Sequence, residues 1–411
     1  MSERRDWSGP WMPAGLVCGL LVVGLCLSEQ LRAEDWSAFR GARGNGVSND
    51  QGFPTEWSRD KNVRWRVAVP GPSNSSPIVS NGRVFVTSAN GNGTERSLLC
   101  FDRADGKSLW VKTVKTLNVE ETHGTNPYGS STPVSDGERV VVWHGSPGLF
   151  CYDFAGNELW SVDLGNVNHI WGYGSSPVIA DGRVFLNFGP GSETFLAAVK
   201  LADGELLWKH DEPGGTNDRG GRLVGSWSTP VLIEVDGQKQ LLCSLATRAA
   251  AFDLGTGHVL WSCDGLSGPK GDLVYTSPVV GDGLAVCMGG YNGPAIGFRL
   301  GGQGNATESN RLWQETKGNP QRIGSGMIIG PHLFMANAGP GILQCLQAAT
   351  GKELWHDRAT GGEHWGAMVL AEGRIYTTNR NGATLVFRPN PEKFEQLAVN
   401  ELGEASNSTP A

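Results

Sequence analysis

The sequence is poor in charged residues and contains no cluster of basic ones. Only 18% of its 411 residues are Asp, Glu, Lys or Arg, and the formal net charge is −7. Proteins that bind nucleic acids usually carry a basic patch, so a nucleic-acid partner is not expected. The moderate acidic balance mainly favours solubility.

The sequence also lacks the motifs that would point to a metal site or a nucleophile. Outside an N-terminal apolar run, which holds Cys18 and Cys26, six cysteines remain, with neither a Cys-x-x-Cys spacing nor an adjacent pair. A Gly-x-Ser-x-Gly elbow, a His-Glu-x-x-His motif and a P-loop are all missing. We therefore expect no metal site, and the sequence identifies no catalytic residue.

Long apolar runs are missing apart from one segment near the N-terminus. Residues 14–27 are apolar and follow Arg4 and Arg5. A bilayer span takes about 20 apolar residues, whereas a short apolar core after a basic start is typical of a secretory signal, and Ala33 fits a cleavage site. We predict a signal peptide over residues 1–33, with an uncleaved anchor as the alternative. Either way the body of the protein is exported, to the periplasm or the medium, and cleavage would leave no membrane span.

Glycine and tryptophan are abundant, with 59 and 15 residues. A phrase with a Gly turn followed by Leu-Trp recurs at residues 101–110, 152–160, 199–208, 252–261 and 346–355. Glycine adopts positive φ at little steric cost, as tight turns require. Because no long segment keeps a helical period, the pattern indicates short strands joined by turns.

The phrase belongs to a longer repeat. Related segments begin at residues 75, 130, 175, 228, 276, 324 and 366. The Leu-Trp tryptophans recur about every 50 residues, the period of a stacked structural unit, and they are Trp110, Trp160, Trp208, Trp261, Trp313 and Trp355. Each unit contains four predicted strands, the first two joined in most units by an Asn-Gly or Asp-Gly turn. Four antiparallel strands repeated radially form a β-propeller blade, so the predicted fold is an all-β propeller.

We hypothesise that each of these indoles packs between its own blade and the next. Burying an indole removes about 150–250 Å² from water, which makes it a strong anchor. At a second equivalent position of the repeat, all seven units have a side chain of small or medium volume. These residues are Cys100, Cys151, Cys345, Ala198, Ala251, Gly297 and Val386. This variety favours a packing position over disulfide or redox chemistry.

Two leftover pieces bear on the number of blades. Residues 62–71 resemble a fourth strand, with Trp65 in the docking position, and residues 406–411 resemble a first strand. We predict seven full blades and an incomplete eighth built from these two pieces, because the chain stops early. A seven-blade ring closed by Trp65 is the alternative. The predicted organisation is a signal peptide at 1–33, a lead-in segment at 34–61 and the propeller at 62–411.

The recurring phrase resembles the tryptophan-docking motif of quinoprotein-type (PQQ-like) propeller repeats, and the resemblance covers nearly all of the chain after residue 36. The opening at 35–50 is similar to that of secreted bacterial members. The resemblance implies either of two activities. Some members are alcohol dehydrogenases that carry pyrroloquinoline quinone and calcium. Others are scaffolds without catalysis, among them the lipoprotein of the outer-membrane β-barrel assembly machine.

The quinone enzymes usually stack the cofactor between a Trp and a disulfide of adjacent cysteines, and this sequence has no such pair. Of possible calcium ligands, only Glu120 with Asn126 comes into consideration. We therefore expect an exported binding or protein-interaction scaffold without a cofactor. The alternative is a PQQ- and calcium-dependent alcohol or sugar dehydrogenase with its site in the central channel.

The loops that enter each first strand should meet on one face of the ring, near its centre, and they are rich in polar and aromatic residues. The candidate ligand-binding residues are His123, Asn126, Tyr128, His169, Trp171, Tyr173, Arg219, Arg222, Trp227, Lys270, Asp272, Arg322, His364 and Trp365. Each of these residue types could instead have a purely structural role. The histidines could hydrogen-bond to neighbouring loops, the tryptophans could fill the central channel as part of the core, and the charged residues could form ion pairs, such as Lys270 with Asp272. The predicted partner on this face is a protein or a small-molecule or carbohydrate ligand.

Overall fold

The computed structural model describes residues 34–215, 222–317, 322–339, 341–359 and 361–411. The predicted signal peptide and the candidate Arg219 lie outside the described residues. Within them the chain is almost entirely β-strand, with one short helix, α1 (Thr307–Asn310). Among these residues no helix is long and apolar enough to cross a membrane.

Seven sheets each contain a four-stranded antiparallel meander, as the repeat predicts. The first strand of the chain, β1 (Val47–Ser48), precedes blade 1, which contains β2 (Ile78–Ser80), β3 (Arg83–Ala89), β4 (Glu95–Asp102) and β5 (Ser108–Lys115). Blade 2 contains β6 (Val134–Ser135), β7 (Arg139–Trp143), β8 (Leu149–Asp153) and β9 (Glu158–Val162). Blade 3 contains β10 (Val178–Ala180), β11 (Arg183–Phe188), β12 (Thr194–Lys200) and β13 (Leu206–Glu212).

The second half of the chain continues this order with small additions. β14 (Val224–Ser226) precedes blade 4, which contains β15 (Val231–Val235), β16 (Gln238–Ser244), β17 (Arg248–Asp253) and β18 (Val259–Asp264). β19 (Asp272–Val274) precedes blade 5, which contains β20 (Val279–Gly281), β21 (Leu284–Met288), β22 (Ala295–Arg299) and β24 (Arg311–Glu315), with β23 (Gly304–Asn305) between the last two. Blade 6 contains β25 (Met327–Ile329), β26 (His332–Ala336), β27 (Leu343–Gln347) and β28 (Glu353–Asp357), and blade 7 contains β29 (Val369–Ala371), β30 (Arg374–Thr378), β31 (Ala383–Arg388) and β32 (Glu395–Glu401). The all-β propeller architecture is confirmed.

The first two strands of a blade are joined by the turns that the sequence predicts. In blade 1, Asn81 and Gly82 have φ values of 45° and 77°. Positive φ at both central residues is the signature of a type I′ hairpin, whose twist matches that of the strands it connects. The middle strands of each blade are then buried on both faces, as in β7 and β12.

The predicted tryptophan docking is present at six positions. In each, the indole Nε1 donates to a backbone carbonyl in the turn between the third and fourth strands of the next blade, at 2.8–3.1 Å; the pairs are Trp65–Arg103, Trp110–Phe154, Trp160–Leu201, Trp208–Leu254, Trp313–Ala348 and Trp355–Asn390. In five of these contacts, all except that of Trp355, a turn glycine lies against the ring; a Cβ at Gly257, for example, would be 2.5 Å from Trp208. The turn is therefore both a reversal of the chain and a platform for the preceding indole.

Trp261 also packs between two blades, with its ring 6.0 Å from that of Phe298 in blade 5, but its hydrogen bond departs from this pattern. It is almost fully buried, yet its Nε1 donates to Gln240 Oε1 in its own blade, at 2.8 Å. The third and fourth strands of blade 5 are not joined by a short turn that could receive it. In that place the chain forms α1 and β23, and β23 extends blade 4 as a parallel fifth strand beside β18.

The small-residue position lies directly opposite the tryptophan. Cys100, Cys151 and Cys345 pair across the ladder with Trp110, Trp160 and Trp355, immediately before a β-bulge. The six cysteines of the described chain are buried and free. The packing interpretation of this position is confirmed.

The innermost strands are joined by a circle of hydroxyl groups, which we call the hydroxyl ring. Its members are Thr132, Ser176, Thr229, Ser277, Ser325 and Thr409, and each oxygen accepts a backbone N–H from the neighbouring repeat at 2.8–3.1 Å. Five of these bonds tie blades 1 to 6 in sequence at the centre of the ring, and the sixth ties the segment before blade 7 to Thr409.

The incomplete eighth blade stays a prediction. Within the described chain, residues 62–71 and 406–411 form no strand. Even so, Trp65 makes the docking bond to blade 1, and Thr409 accepts the N–H of Ala367 as a member of the hydroxyl ring. The two pieces therefore make the contacts expected of the outermost and innermost strands of an eighth position.

The lead-in segment, residues 34–61, is built into the ring. Hydrogen bonds hold it to blades 1, 2, 6 and 7, through Val79 N to Trp36 O, Ser135 N to Ser37 O, Arg40 Nη2 to Gly326 O and Leu370 N to Gly46 O. Arg40 is 1% exposed, and burial lowers its pKa to about 10. The segment thus crosses the centre of the ring and brings Phe39 to the central cavity.

Candidate functional site

The loops before the first strands enclose a central cavity of about 320 Å³. Such a volume lies at the lower end of the range for small-ligand sites. The walls come from the loops that precede blades 1 to 7, from Tyr291 of blade 5, from Phe39 of the lead-in segment and from residues 407 and 409 near the end of the chain. One surface is aromatic, and the hydroxyl ring lines another.

The aromatic surface, called here the aromatic cluster, consists of Trp171, Trp227, Tyr275 and Tyr291. The ring centroid of Trp171 lies 5.9 Å from that of Trp227 and 5.3 Å from that of Tyr291, and Trp227 lies 5.3 Å from Tyr275. The Trp227 indole also donates to the Gly172 carbonyl at 2.9 Å, which fixes its orientation. All four side chains are half-buried, so part of each ring is available to a ligand.

Two of the three candidate histidines are buried and neutral. His169 packs edge-on against Trp227 at 5.0 Å, and burial lowers its pKa to about 4. Its Nδ1 accepts the N–H of Trp171, whereas its buried Nε2 has no hydrogen-bond partner among the described residues. Burial also lowers the pKa of His364 to about 4, and its Nδ1 lies 3.2 Å from Thr377 Oγ1. The third, His123, is exposed, and its Nδ1 lies 2.8 Å from Thr125 Oγ1.

Asn126, Tyr128 and Tyr173 link neighbouring loops. Asn126 Nδ2 donates to the carbonyls of Trp171 and Tyr173, at 2.6 and 2.9 Å. The hydroxyl of Tyr128 donates to Glu120 O, and that of Tyr173 donates to Tyr128 O. Of the three side chains, only that of Asn126 lines the cavity.

A buried ion pair that the sequence did not reveal supports these loops. Arg96 is fully buried, and its two terminal nitrogens lie 2.7 and 2.6 Å from the two carboxylate oxygens of Glu120. The rings of Tyr128 and Tyr173 cover the guanidinium at 4.7 and 5.7 Å. The one available signal was an arginine close to the apolar part of the third strand of blade 1, residues 98–101.

The residues do not fit calcium-bound pyrroloquinoline quinone. Arg96 engages both carboxylate oxygens of Glu120, so the pair considered for calcium keeps only the amide oxygen of Asn126 as a free ligand and has no free carboxylate. In the described chain no group of three or more His, Cys, Asp or Glu could hold a metal ion. The cavity lining, as far as it is described, includes no Lys or Arg to neutralise the three carboxylates of the quinone.

The charged candidates occupy the rim or the interior. Arg222 binds both oxygens of Asp272 at 2.7 Å, so Asp272 pairs with it rather than with Lys270, whose ammonium lies 6.0 Å from the Tyr291 ring. Arg322 lies in the interior, and burial lowers its pKa to about 10. Its guanidinium donates a hydrogen bond to Gln344 Oε1 at 3.1 Å.

Trp365 lines the cavity under a charged pair. The Arg380 guanidinium lies 4.6 Å from its ring and pairs with Glu363 at 2.5 Å. The structure thus brings Asn126, His123, Trp171, Trp227 and Trp365 together at the cavity.

Sequence reasoning missed Phe39, Tyr275, Tyr291 and the hydroxyl ring. Tyr275 lies in a loop that the repeat alignment had marked. Tyr291 comes from the loop between the second and third strands of blade 5, whereas the sequence predicts that only the loops before the first strands reach the centre. The ring hydroxyls appeared only as strand starts.

Comparisons with known proteins agree with this fold. A family model described as Outer membrane protein assembly factor BamB matches residues 47–119 and 94–357. The BamB of Yersinia pestis is 27% identical over 237 residues, which cover 55% of this chain and 51% of that protein. A tetrathionate hydrolase of Acidithiobacillus ferrooxidans is 22% identical over 317 residues, which cover 70% of this chain and 54% of that protein. The chain spans about half the length of these curated relatives.

Solved structures show the same fold at lower identity. BamB from Moraxella catarrhalis superposes with a TM-score of 0.55 at 14% identity, covering 83% of this chain and 89% of the other. A europium-containing methanol dehydrogenase gives 0.51 at 11% identity, covering 92% and 87%. Because the family model covers most of the chain, this protein belongs to the Outer membrane protein assembly factor BamB family of PQQ-like β-propellers.

Proposed function

We propose that this protein is an exported, non-catalytic scaffold that binds a protein partner through the face formed by the loops around the central cavity. Export rests on the predicted signal peptide at residues 1–33 and on kinship with outer-membrane assembly factors. A rigid ring that presents loops from several blades on one face provides a preorganised binding surface.

The observation that carries the proposal is the composition of this face. Its centre is the half-buried aromatic cluster, and Lys270, His123 and the Arg222–Asp272 pair are charged or polar groups around it. Protein interfaces commonly have aromatic residues at the centre and polar residues at the rim. Tyr and Trp are also enriched among the residues that carry most of the binding energy.

Absence of catalysis is part of the proposal and is supported by the chemistry of the site. His169 and His364 remain neutral and buried, the Arg222–Asp272 pair is satisfied, and the described lining does not fit the quinone and calcium of the dehydrogenases. The dehydrogenase alternative makes a separate prediction, which is dye-linked oxidation of alcohols or sugars after pyrroloquinoline quinone and calcium are supplied. Such activity would contradict the scaffold proposal.

Site-specific photo-crosslinking in the producing cells tests the binding face. A photoreactive amino acid replaces Lys270 or His123 at the rim, or Leu207 on the outer strand of blade 3 as a control, since all three positions are exposed. We expect one protein adduct, identified by mass spectrometry, from both rim positions and none from position 207. Trp171→Ala should weaken the adduct at position 270. Adducts of equal yield at all three positions, or none at the rim, would refute the proposed face.

A further inference from the structure

We propose that the central cavity binds a neutral, hydroxyl-rich ligand, a saccharide unit or short oligosaccharide, between the aromatic cluster and the hydroxyl ring. This inference goes beyond the scaffold function. It assigns a ligand class to the cavity, whereas the scaffold function concerns the protein partner of the surrounding face. The two can therefore fail independently.

The first support is the set of unused hydrogen-bond donors in the hydroxyl ring. Each of the six oxygens accepts one backbone N–H, and none of the six hydroxyls donates to an acceptor within the described chain. All six line the cavity. A Ser or Thr hydroxyl has one donor and two acceptor lone pairs, so every member retains a hydrogen that can bind an acceptor in the cavity.

The second support is a set of acceptors at the same cavity. The side-chain amide nitrogens of Asn74 and Asn126 donate hydrogen bonds to loop carbonyls; that of Asn74 lies 2.9 Å from Thr125 O. The side-chain oxygens of both residues remain available as acceptors. Asn407 also lines the cavity and makes no hydrogen bond through its side chain within the described residues. A ligand that both donates and accepts hydrogen bonds, as a sugar hydroxyl does, matches these two sets.

The third support is the combination of flat aromatic faces with little charge. Trp171, Trp227, Tyr275 and Tyr291 line one wall, and Trp365 lies on the wall contributed by the loop before blade 7. Aromatic faces bury large areas of a ligand at low conformational cost. The described lining contains no Asp, Glu, Lys or Arg side chain, so a charged ligand would lose its hydration without gaining a counter-charge. A neutral ligand has no such cost.

Calorimetric titration of the intact exported chain tests the proposal. The probes are neutral oligosaccharides, namely gluco-, manno-, xylo- and N-acetylglucosamine oligomers, with citrate and pyrroloquinoline quinone as anionic probes. We expect saturable binding of at least one neutral series and weaker or no binding of the anions. Absence of binding across all neutral series, or tighter binding of an anion, would overturn the assignment.

Variants place the ligand in the cavity. Trp171→Ala should weaken binding by about tenfold, whereas Trp171→Phe, which keeps an aromatic face, should stay within about threefold of wild type. Asn407→Ala removes an amide with no protein partner in the described chain, so it should weaken binding without lowering the melting temperature. Leu207→Ala, on the outer strand of blade 3, is the control and should leave binding unchanged. Binding that is indifferent to both Trp171→Ala and Asn407→Ala would place the ligand elsewhere and refute the proposal.

Titration and crosslinking separate the two proposals. Rim adducts without saccharide binding would leave the scaffold standing and remove the ligand assignment. Saccharide binding without rim adducts would do the reverse.

Discussion

The indole nitrogen of Trp110 lies 3.0 Å from the carbonyl oxygen of Phe154, which belongs to the next blade. A Cβ at Gly156 in the same turn would lie 3.0 Å from the indole ring. This relationship recurs around the ring and explains why the Gly turn and the Leu-Trp pair appear together in most repeats. The glycine of one blade and the tryptophan of the preceding blade form one contact.

Trp110→Ala should lower the free energy of unfolding by about 3 kcal/mol, because it removes a large packed side chain and leaves a void between two blades. Trp110→Phe should cost less, since it keeps a ring and loses mainly the N–H bond. Leu109→Ala, at a neighbouring exposed position, is the control and should change stability by less than about 0.5 kcal/mol. Urea denaturation followed by circular dichroism measures all three. An unchanged stability of Trp110→Ala would contradict the docking role.

Gly297→Ala should destabilise blade 5 by about 1–3 kcal/mol, the usual range for overpacking. A Cβ at this position would lie 2.2 Å from Trp313 Nε1, so the indole must shift. The matched control is Gly124→Ala, where the added methyl group meets open space. Thermal denaturation of both variants compares them directly. Equal melting temperatures would show that the space opposite Trp313 is not restricted.

Stability should fall on acidification between pH 6.5 and about 4, through the buried histidines His144, His169 and His364. Burial lowers the pKa of His169 and His364 from 6.5 to about 4, and burial with the nearby charge of Arg96 lowers that of His144 to about 3. In this window the unfolded chain binds more protons than the folded one, so stability is present above pH 6.5 and is lost as the pH falls. At pH 5 each histidine should account for about 2 kcal/mol of the loss.

A His364→Gln variant tests this assignment, because glutamine keeps a polar group near Thr377 and does not titrate. Its urea midpoint should fall less than that of wild type between pH 7 and pH 5. The exposed His258→Gln is the control and should follow the wild-type curve. Parallel curves for all three proteins would mean that burial of His364 does not contribute to the pH dependence.

Arg96→Met should destabilise the protein by about 3–5 kcal/mol, because it leaves the carboxylate of Glu120 buried without its partner. Glu120→Gln should also be destabilising. The double variant Arg96→Met/Glu120→Gln should be more stable than the sum of the single changes predicts. Chemical denaturation of the four proteins gives the coupling energy. Strict additivity would show that the two side chains do not stabilise each other.

Much of the fold was predictable because its signals are local and repeated. The Asn81–Gly82 turn, the alternation in β3 and the position of Trp110 each follow from a few adjacent residues, and seven copies reinforce one another. Trp261 shows where this reasoning stops. Its sequence context matches the other copies, yet its hydrogen-bond partner changes because the following blade carries α1 and β23 in place of a short turn.

The candidate site was less predictable because its parts are distant in the chain. Trp171 and Trp227 could be proposed from their repeat position, whereas Tyr291 and Phe39 come from segments that the repeat does not mark. Arg96 and Glu120 are 24 residues apart, and neither motif nor spacing relates them. Packing of blades and loops against one another brings such residues into contact.

The sequence by itself determined the all-β blades, the docking of most indoles and the small side chains opposite them, since each depends on local period, turn chemistry and side-chain volume. The tertiary structure decided the cavity: which aromatic rings face one another, which hydroxyls keep an unused donor, and how the lead-in segment crosses the centre. The physical reason is that these features depend on distances between residues of different blades, and only the closed ring sets those distances.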